Sequence, residues 1–247
     1  MRGDNVDYIV KTYNLTKDFN NFRALDNVNI TINKGDIYGL VGENGAGKST
    51  LIRLISGLMI PTSGSIDLQN LGGFGSLSAI VESPALHPSC SAVMNLKLQC
   101  DLLGIKNCND RIEKVLEIVG LQDLINNNKK VKHFSLGMKQ RLAIAMALIS
   151  NPKFIILDEP MNGLDPLGIM QMRELFIELN QNHNITFFIS SHILSELDKV
   201  ATKYGFISRG KLLLEISADE IHKSNKTIEE FYLGVIGGIQ YAQHPKS

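Results

Sequence analysis

Apolar and polar residues alternate in two stretches near the start of the chain, Tyr8–Leu15 and Val28–Ile32. This period of two is typical of a strand with one buried face, so we predict two half-buried antiparallel strands. The next run, Ile37–Val41, is apolar throughout, which is typical of a strand buried in a central sheet. We predict that it leads directly into a glycine-rich loop, Gly42–Gly47, and then into a helix.

The helix after this loop is predicted from apolar residues that recur at helical spacing on one face. These residues are Leu51, Leu54, Ile55 and Leu58. Turn residues at positions 61–64 then precede a predicted strand at Ser65–Leu68, and another strand is predicted at Ser78–Val81.

Residues 84–150 are predicted to be mainly helical. The candidate helices are Ala92–Leu103, Asp110–Val119 and Leu136–Ile149. Ser135 precedes the third helix and is predicted to be its N-cap, because a serine side chain can accept a hydrogen bond from the first turn.

Strand character returns at Phe154–Leu157 and Ile185–Ile189, each followed by a helical pattern. Two more strands, Gly205–Ser208 and Lys211–Ile216, are joined by a turn at Arg209-Gly210. This layout predicts an α/β core with a helical insertion. In the tail, one apolar helical stripe is predicted to pack on the core; it comprises Phe231, Tyr232, Val235, Ile236 and Ile239.

The charge balance excludes a general nucleic-acid binder. The 247 residues include 25 basic and 25 acidic side chains, a formal net charge of zero. Such a chain lacks the overall positive charge that drives binding to phosphate backbones. We therefore expect no nucleic-acid partner.

The apolar runs and the cysteines indicate a protein that stays inside the cell. The longest apolar run, Leu142–Ile149, has eight residues, whereas a membrane span needs about twenty. The N-terminus has no apolar signal segment. Cys90, Cys100 and Cys108 are odd in number and lack metal-ligand spacing, so we expect reduced thiols.

The glycine-rich loop has the pattern of a phosphate-binding P-loop, G-x-x-x-x-G-K-[ST]. Its residues are Gly42, Glu43, Asn44, Gly45, Ala46, Gly47, Lys48, Ser49 and, next along the chain, Thr50. Glycines let successive backbone N–H groups curl around a phosphate, and the following helix directs its positive end at the same charge. Lys48 is predicted to contact the outer phosphates and Ser49 to bind Mg²⁺.

Two carboxylates follow the apolar strand at Phe154–Leu157. They are Asp158 and Glu159. A strand that ends in acidic residues places them at the sheet edge where α/β folds bind ligands. Asp158 is predicted to hold Mg²⁺ through water, and Glu159 to orient or deprotonate the attacking water.

Further motifs, in order, resemble those of the ABC ATPases. The run Phe134–Arg141, FSLGMKQR, resembles the signature motif L-S-G-G-Q and precedes Asp158 at the family's spacing. Asn162–Asp165 resembles the D-loop, and Ser191-His192 the switch histidine. Phe19 lies where the family stacks an aromatic ring on adenine. The resemblance covers roughly residues 6–216.

The signature departs from its common form at two positions, since Leu136 replaces the first glycine and Met138 the glutamine. Ser135 and Gly137 remain, and these two residues are expected to face the γ-phosphate. Ser135 could bond the phosphate while the dipole of its helix points at the same charge.

The resemblance implies the fold, the cofactors and the assembly. The implied fold is an α/β P-loop NTPase core (RecA-like) with an antiparallel β subdomain and an inserted helical subdomain. The implied bounds are 1–216 for the ATPase domain (core 1–82 and 151–216, helical subdomain about 83–150) and 217–247 for a helical tail. ATP and Mg²⁺ are the implied cofactors. Two subunits are expected to pair head-to-tail, as a homodimer, each ATP lying between one P-loop and the other subunit's signature.

The implied site residues fall into three groups. The catalytic residues are Glu159 and His192. Besides the P-loop, the nucleotide is expected to contact Phe19, Glu82, Ser135, Gly137, Met138 and Asp165. The metal ligands are Ser49, Glu82 and Asp158.

Glu82 indicates which group of ABC ATPases the chain resembles. It occupies the position after a strand where most ABC ATPases carry a glutamine, and Pro84 and Leu86 follow it. This pattern resembles subunits that expel lantibiotics, bacitracin and similar peptide antibiotics. A glutamate keeps an acceptor for Mg²⁺ or water but loses the amide donor and adds a charge. The alternative is a neutral family variant.

We therefore predict the ATP-hydrolysing subunit of an exporter, giving self-protection against an antimicrobial peptide. A separate permease would supply the membrane helices and dock near Glu82–Leu86, so the protein is expected at the cytoplasmic face of the membrane. The alternatives are an exporter ATPase for another substrate, a soluble ABC ATPase acting on ribosomes or DNA, and a small-molecule P-loop kinase.

Overall fold

The computed structural model describes residues 8–243 except 70, 72, 74, 83 and 225. The described residues form ten strands and eight α-helices. In chain order they are β1 Tyr8–Phe19, β2 Phe22–Val28, β3 Thr31–Asn33, β4 Ile37–Val41, α1 Lys48–Ile55, β5 Ser63–Leu68, β6 Leu77–Ile80, α2 Ala92–Leu102, α3 Asn109–Ile118, α4 Leu136–Leu148, β7 Phe154–Asp158, α5 Pro166–His183, β8 Thr186–Ser191, α6 Leu194–Leu197, β9 Lys203–Ser208, β10 Lys211–Ser217, α7 Ala218–Lys223 and α8 Ile228–Gln243. Two short 3₁₀ helices, Gln122–Leu124 and Val131–His133, precede α4.

The chain divides into two compact units. The first takes its described residues from within 1–70 and 186–247, and the second from within 71–185. The first unit is therefore built from two chain segments that flank the second.

An antiparallel sheet forms part of the first unit. The long strand β1 pairs with β2, β3 and β5. The single strand predicted at Val28–Ile32 is wrong, because β2 ends at Val28 and β3 begins at Thr31. The Thr12 hydroxyl lies between them, accepting from the Ile30 N–H at 2.9 Å and donating to the Val28 carbonyl at 3.0 Å. The Thr12 hydroxyl thus bonds both ends of the break, and the Thr12 N–H also donates to the Ile30 carbonyl at 3.0 Å.

Parallel strands carry the P-loop in the same unit. Strand β4 lies between β8 and β9, and β10 pairs antiparallel with β9. All five residues of β4 are buried, which confirms the fully buried strand predicted there. Burial on both faces explains why the sequence is apolar throughout rather than alternating.

Helix α1 follows the P-loop and buries Leu51, Leu54 and Ile55, as its periodicity predicts. The prediction is wrong for Leu58. The helix ends at Ile55, and Gly57 then adopts a left-handed backbone with φ +74°. Leu58 therefore lies beyond the helix and is 67% exposed.

The second unit contains the parallel pair β6 and β7 and the helices α2 to α5. Helix α4 packs against both α2 and α3, and it buries six residues. Ser135 caps α4 as predicted, since its side chain accepts from the Met138 N–H. Helices α2, α3 and α4 each begin and end within one residue of the predicted bounds.

The C-terminal part of the first unit ends in two helices. Ser217 and Glu220 form a capping box at the start of α7. In α8, Phe231 and Tyr232 contact the ring of Phe206, which confirms the predicted packing for these two residues. The side chain of Ile239 lies outside the described part of the chain. Across the described ranges, no helix combines the length and the apolar character that a membrane crossing requires.

Candidate nucleotide-binding and catalytic site

The P-loop joins the buried strand β4 to helix α1. Its turn is closed by a hydrogen bond from the Ala46 N–H to the Glu43 carbonyl at 3.1 Å. Gly47 has a φ of +108°, and a Cβ there would lie 2.8 Å from the Ala24 carbonyl oxygen. Glycine is required at Gly47 for both backbone angle and space, and the loop therefore reaches the helix with its N–H groups unobstructed by a side chain.

Lys48 begins α1 and folds back over the loop. Its Nζ donates to the Gly42 carbonyl at 2.7 Å and to the Glu43 carbonyl at 3.3 Å. The side chain is only 6% exposed. The ammonium group is thus held over the concave side of the loop, where a phosphate would meet it together with the helix N-terminus.

The switch histidine lies beside the P-loop. Val41, Gly42, Glu43 and Asn44 line one pocket of about 270 Å³ together with Ser191, His192, Leu194 and Tyr232. His192 is exposed and directly follows β8. The structure therefore brings together two motifs that are far apart in the sequence.

Phe19 is the last residue of β1 and is 42% exposed. The Nζ of Lys17 lies 5.2 Å from the centre of its ring. Lys17 is itself fixed by a hydrogen bond of 2.8 Å to the Ile60 carbonyl. An exposed ring with this support can offer a face to an adenine base.

In the second unit, acidic residues at the ends of two neighbouring strands line one pocket. Glu82 follows β6 and Asp158 ends β7, and both line one small pocket with Gln140. Strands β6 and β7 are parallel and in register from Leu77 opposite Phe154. Their carboxyl ends consequently lie at the same edge, which explains why these two side chains come together.

The backbone is left-handed at two glutamates near this edge of the sheet. Glu82 has a φ of +64° and Glu159 a φ of +52°. Side chains other than glycine adopt this region at some cost in conformational energy, and such residues concentrate at functional sites. The carbonyl of Glu159 accepts from the Asn162 N–H at 3.1 Å, which closes a turn around Pro160.

The signature motif begins a helix whose first residues are exposed. The Ser135 Oγ accepts from the Met138 N–H at 3.2 Å, and both Ser135 and Leu136 are exposed. Gly137 and Met138 follow in the first turn of α4. An exposed helix N-terminus with a serine cap can bind an anion from outside the subunit.

Leu136, which is predicted to replace a family glycine, packs on the D-loop. A Cβ at Gly163 would lie 3.1 Å from its Cδ2, and Gly163 has a φ of +74°. The D-loop residue Asp165 caps α5, because its Oδ1 accepts from the Gly168 N–H at 2.8 Å. The structure thus gives Asp165 a capping role, and its contact with the nucleotide stays a prediction.

An open groove of about 390 Å³ lies on the second unit. Its lining is mainly apolar and comes from β6, from the segment 84–86 and from α4, while α2 contributes Gln99. Pro84, Ala85 and Leu86, which follow Glu82, form one side of it. Glu82 stands in the sequence just before these lining residues.

The oxygen donors present suit magnesium. Within the described residues, no three His, Cys, Asp or Glu side chains converge on one point. Mg²⁺ is usually bound by one or two carboxylates together with phosphates and waters, so such a cluster is not required. Ser49, in the first turn of α1, and the pair Glu82 and Asp158 are hard oxygen donors of this kind.

Comparison with known proteins decides the family. The family model described as ABC transporter matches residues 25–162. This chain belongs to the ABC transporter family. As an ABC ATPase it binds ATP or ADP and hydrolyses ATP, and its α/β P-loop fold class is confirmed.

Two relatives of this ABC ATPase have named substrates. It is 47% identical over 232 residues to the bacitracin transport ATP-binding protein BcrA of Bacillus licheniformis, covering 91% of this chain and 75% of that protein. It is 42% identical over 234 residues to the lantibiotic transport ATP-binding protein SrtF of Streptococcus pyogenes, covering 91% and 96%. The expected resemblance to the bacitracin and lantibiotic group is confirmed.

A solved structure agrees with the fold of this ABC ATPase. The cbiO1 protein of Clostridium perfringens, part of the ABC transporter complex cbiONQ, matches with a TM-score of 0.78 and 28% identity. The match covers 95% of this chain and 99% of that one. The likeness therefore extends beyond the motifs to both units of the chain.

Two residues of the site were missed by sequence reasoning. Gln140 lines the pocket of Glu82 and Asp158; it lies about one turn into the signature helix, and helical periodicity alone does not indicate this neighbourhood. Tyr232 lines the P-loop pocket. The apolar stripe of α8 predicted that it packs on the core but carried no signal for the loop that it reaches.

Proposed function

We propose that this chain is the ATP-hydrolysing subunit of an exporter that expels an antimicrobial peptide of the bacitracin or lantibiotic class. The observation that carries the proposal is the similarity, at 47% and 42% identity, to ATP-binding proteins of bacitracin and lantibiotic transport. The position of the Lys48 Nζ against the Gly42 carbonyl supports the proposal, because a P-loop lysine binds the outer phosphates of a nucleotide.

Each motif has a proposed part in the reaction. The N–H groups of residues 42–50 and the Nζ of Lys48 bind the phosphates, and Phe19 stacks on adenine. Glu159 orients or deprotonates the attacking water, and His192 contacts the γ-phosphate. Ser49, Asp158 and Glu82 would hold Mg²⁺, which would neutralise charge on the phosphate oxygens.

The assembly is proposed to be a head-to-tail homodimer. Ser135, Gly137 and Met138 lie at an exposed helix N-terminus, and Asp165 begins the helix after the D-loop. A second subunit bound through this surface would place its nucleotide against the dipole of α4. Each ATP would then be shared between two chains.

The permease is proposed to dock in the groove beside residues 84–86. The groove is apolar and open, as a site for a short helix of another protein would be. Such docking would hold the subunit at the cytoplasmic face of the membrane. Glu82 lines one pocket with Asp158 and precedes the groove residues 84–86 in the sequence, and it is proposed to transmit movement between them.

Export is tested by a protection assay in a sensitive bacterium. The chain is expressed with the membrane protein encoded beside it, and cells are challenged separately with bacitracin and with a lantibiotic. We expect survival against one of these peptides, and loss of survival when Lys48→Ala is expressed at the same level. If the wild-type pair hydrolyses ATP in membranes but protects against neither peptide, the chain serves an exporter for another substrate.

A further inference from the structure

Helix α8 packs on β9, the strand that pairs with β4, and β4 leads into the P-loop. The rings of Tyr232 and Phe206 are stacked with centroids 5.7 Å apart, and Phe231 contacts the other part of the same ring at 5.8 Å. Phe206 lies in β9 directly opposite Val41, the last residue of β4 before the P-loop. Helix α8 also packs against α6, which follows the switch histidine. The tail helix thus contacts β9, beside the strand that precedes the P-loop, and α6, which follows His192.

Tyr232 extends from this anchor into the site. It lines the same pocket as Gly42, Glu43 and Asn44 on one side and His192 on the other. No other described residue of α8 lines this pocket. One side chain of the tail therefore reaches both the P-loop turn and the switch segment.

The Tyr232 hydroxyl is the unusual part of this arrangement. Its oxygen is shielded from solvent and makes no hydrogen bond among the described residues. Burial raises the pKa of Tyr232, as does the Glu43 carboxylate, while the Glu43 backbone N–H lowers it. Glu43 and Tyr232 line the same pocket, but no hydrogen bond joins the Glu43 N–H to the hydroxyl oxygen.

A phenylalanine would serve the anchor as well as the tyrosine does. The stacking on Phe206 involves only the ring, whereas a buried hydroxyl without a partner opposes folding. The hydroxyl therefore contributes nothing to the packing in which it lies. It is placed where a small movement of the P-loop turn would give it a donor.

We propose that Tyr232 is a positioning residue for ATP binding, its hydroxyl oxygen accepting a hydrogen bond from the Glu43 N–H when the P-loop closes around the phosphates. The tail helix then becomes part of the nucleotide site. This inference rests on the proposed role of the P-loop, since without bound phosphate there is no closure to stabilise.

The test compares Tyr232→Phe with Tyr204→Phe, a matched change in the same unit. The Tyr204 hydroxyl donates to the Asp198 Oδ1 at 2.7 Å, so this tyrosine already uses its hydroxyl in the fold. Melting temperature is measured without nucleotide, and the affinity for a non-hydrolysable ATP analogue with Mg²⁺ is measured by calorimetry on the full chain.

We expect opposite patterns from the two variants. Tyr232→Phe should melt at the same or a higher temperature without nucleotide, and should bind the analogue about 3- to 10-fold more weakly, the effect of one hydrogen bond. Tyr204→Phe should melt at a lower temperature and keep its affinity. The gain in melting temperature on adding the analogue should shrink only for Tyr232→Phe.

Two results would overturn the inference. One is unchanged affinity in Tyr232→Phe; the other is a drop in its melting temperature without nucleotide, which would show that the hydroxyl already stabilises the fold. Lys48→Ala is measured alongside. If Lys48→Ala also binds normally, the P-loop assignment fails as well, whereas loss of binding there with normal binding in Tyr232→Phe rejects only the role of Tyr232.

Discussion

The Nζ of Lys48 donates a hydrogen bond of 2.7 Å to the carbonyl oxygen of Gly42, so the first residue of helix α1 is tied to the first residue of the P-loop. This bond closes the loop into a ring with the ammonium group inside. In this bond the acceptor of the buried charge is a backbone carbonyl. The ammonium group remains able to turn toward a phosphate, which is a stronger acceptor because it is charged.

Lys48→Ala should abolish ATP binding or reduce it below detection. The substitution removes the cation that meets the outer phosphates and also the bond that closes the loop. Binding is measured with a fluorescent ATP analogue and turnover by phosphate release. Lys34→Ala, which removes an exposed lysine in a turn, is the control and should behave as wild type. Normal affinity and normal turnover in Lys48→Ala would contradict the assignment.

Glu159→Gln should bind Mg-ATP normally but hydrolyse it about two to four orders of magnitude more slowly, because an amide cannot accept the proton of the attacking water. Single-turnover measurements separate the chemical step from binding. The exposed Glu174 in α5 provides the control, and Glu174→Gln should keep the wild-type rate. A rate within a few-fold of wild type in Glu159→Gln would mean that another group activates the water.

Glu159→Gln should also accumulate as a dimer with ATP, and adding Ser135→Arg should prevent this. The arginine places bulk and positive charge at the exposed start of α4, where the nucleotide of the second subunit is proposed to bind. The measurement is size exclusion with light scattering, with and without ATP. Ser135→Ala is the companion variant; it removes the cap at a cost of about 1 kcal/mol but leaves space for the phosphate. A double variant that still dimerises with ATP would show that the signature does not complete the site in trans.

Glu82→Gln should leave ATP binding and basal hydrolysis nearly unchanged and should impair protection of cells. The change keeps the shape of the side chain and removes one charge beside Asp158. Hydrolysis is measured on the isolated subunit, and survival in cells that carry the cognate permease. Glu113→Gln, on the exposed face of α3, is the matched control.

The outcomes for Glu82→Gln separate three interpretations. Lost protection with normal hydrolysis supports a role in transmission. Loss of hydrolysis in the isolated subunit assigns Glu82 to catalysis instead. No change in either measurement would make the glutamate a neutral variant.

Much of the fold follows from local pattern. Strand β4 was predicted with its observed bounds because all of its five residues are buried, which leaves a continuous apolar run. The start of α4 was predicted because a serine cap has a defined local geometry. Prediction failed where a distant residue decides the structure. The alternation at Val28–Ile32 continues across the break between β2 and β3, where the Thr12 side chain bonds to Val28 and Ile30.

The site was less accessible from sequence, because its members are joined by strand register and not by spacing. Motif order identified Glu82 and Asp158 separately, but only the pairing of β6 with β7 brings them to one pocket. Gln140 and Tyr232 lie on helices whose periodicity reports burial alone. For neither residue does the local sequence pattern indicate which distant residues it contacts.

The pairing around β4 also bears on how the protein is made. Ile37 pairs with Phe187 and Val41 with Phe206, so the strand before the P-loop acquires both of its neighbours only after the whole second unit has been synthesised. Contacts between residues so distant in sequence are slow to form. During translation the apolar strand would stay unpaired while the inserted helices emerge and fold. The chain must therefore protect this strand from aggregation until its last segment arrives, and the nucleotide site is among the last features of the molecule to form.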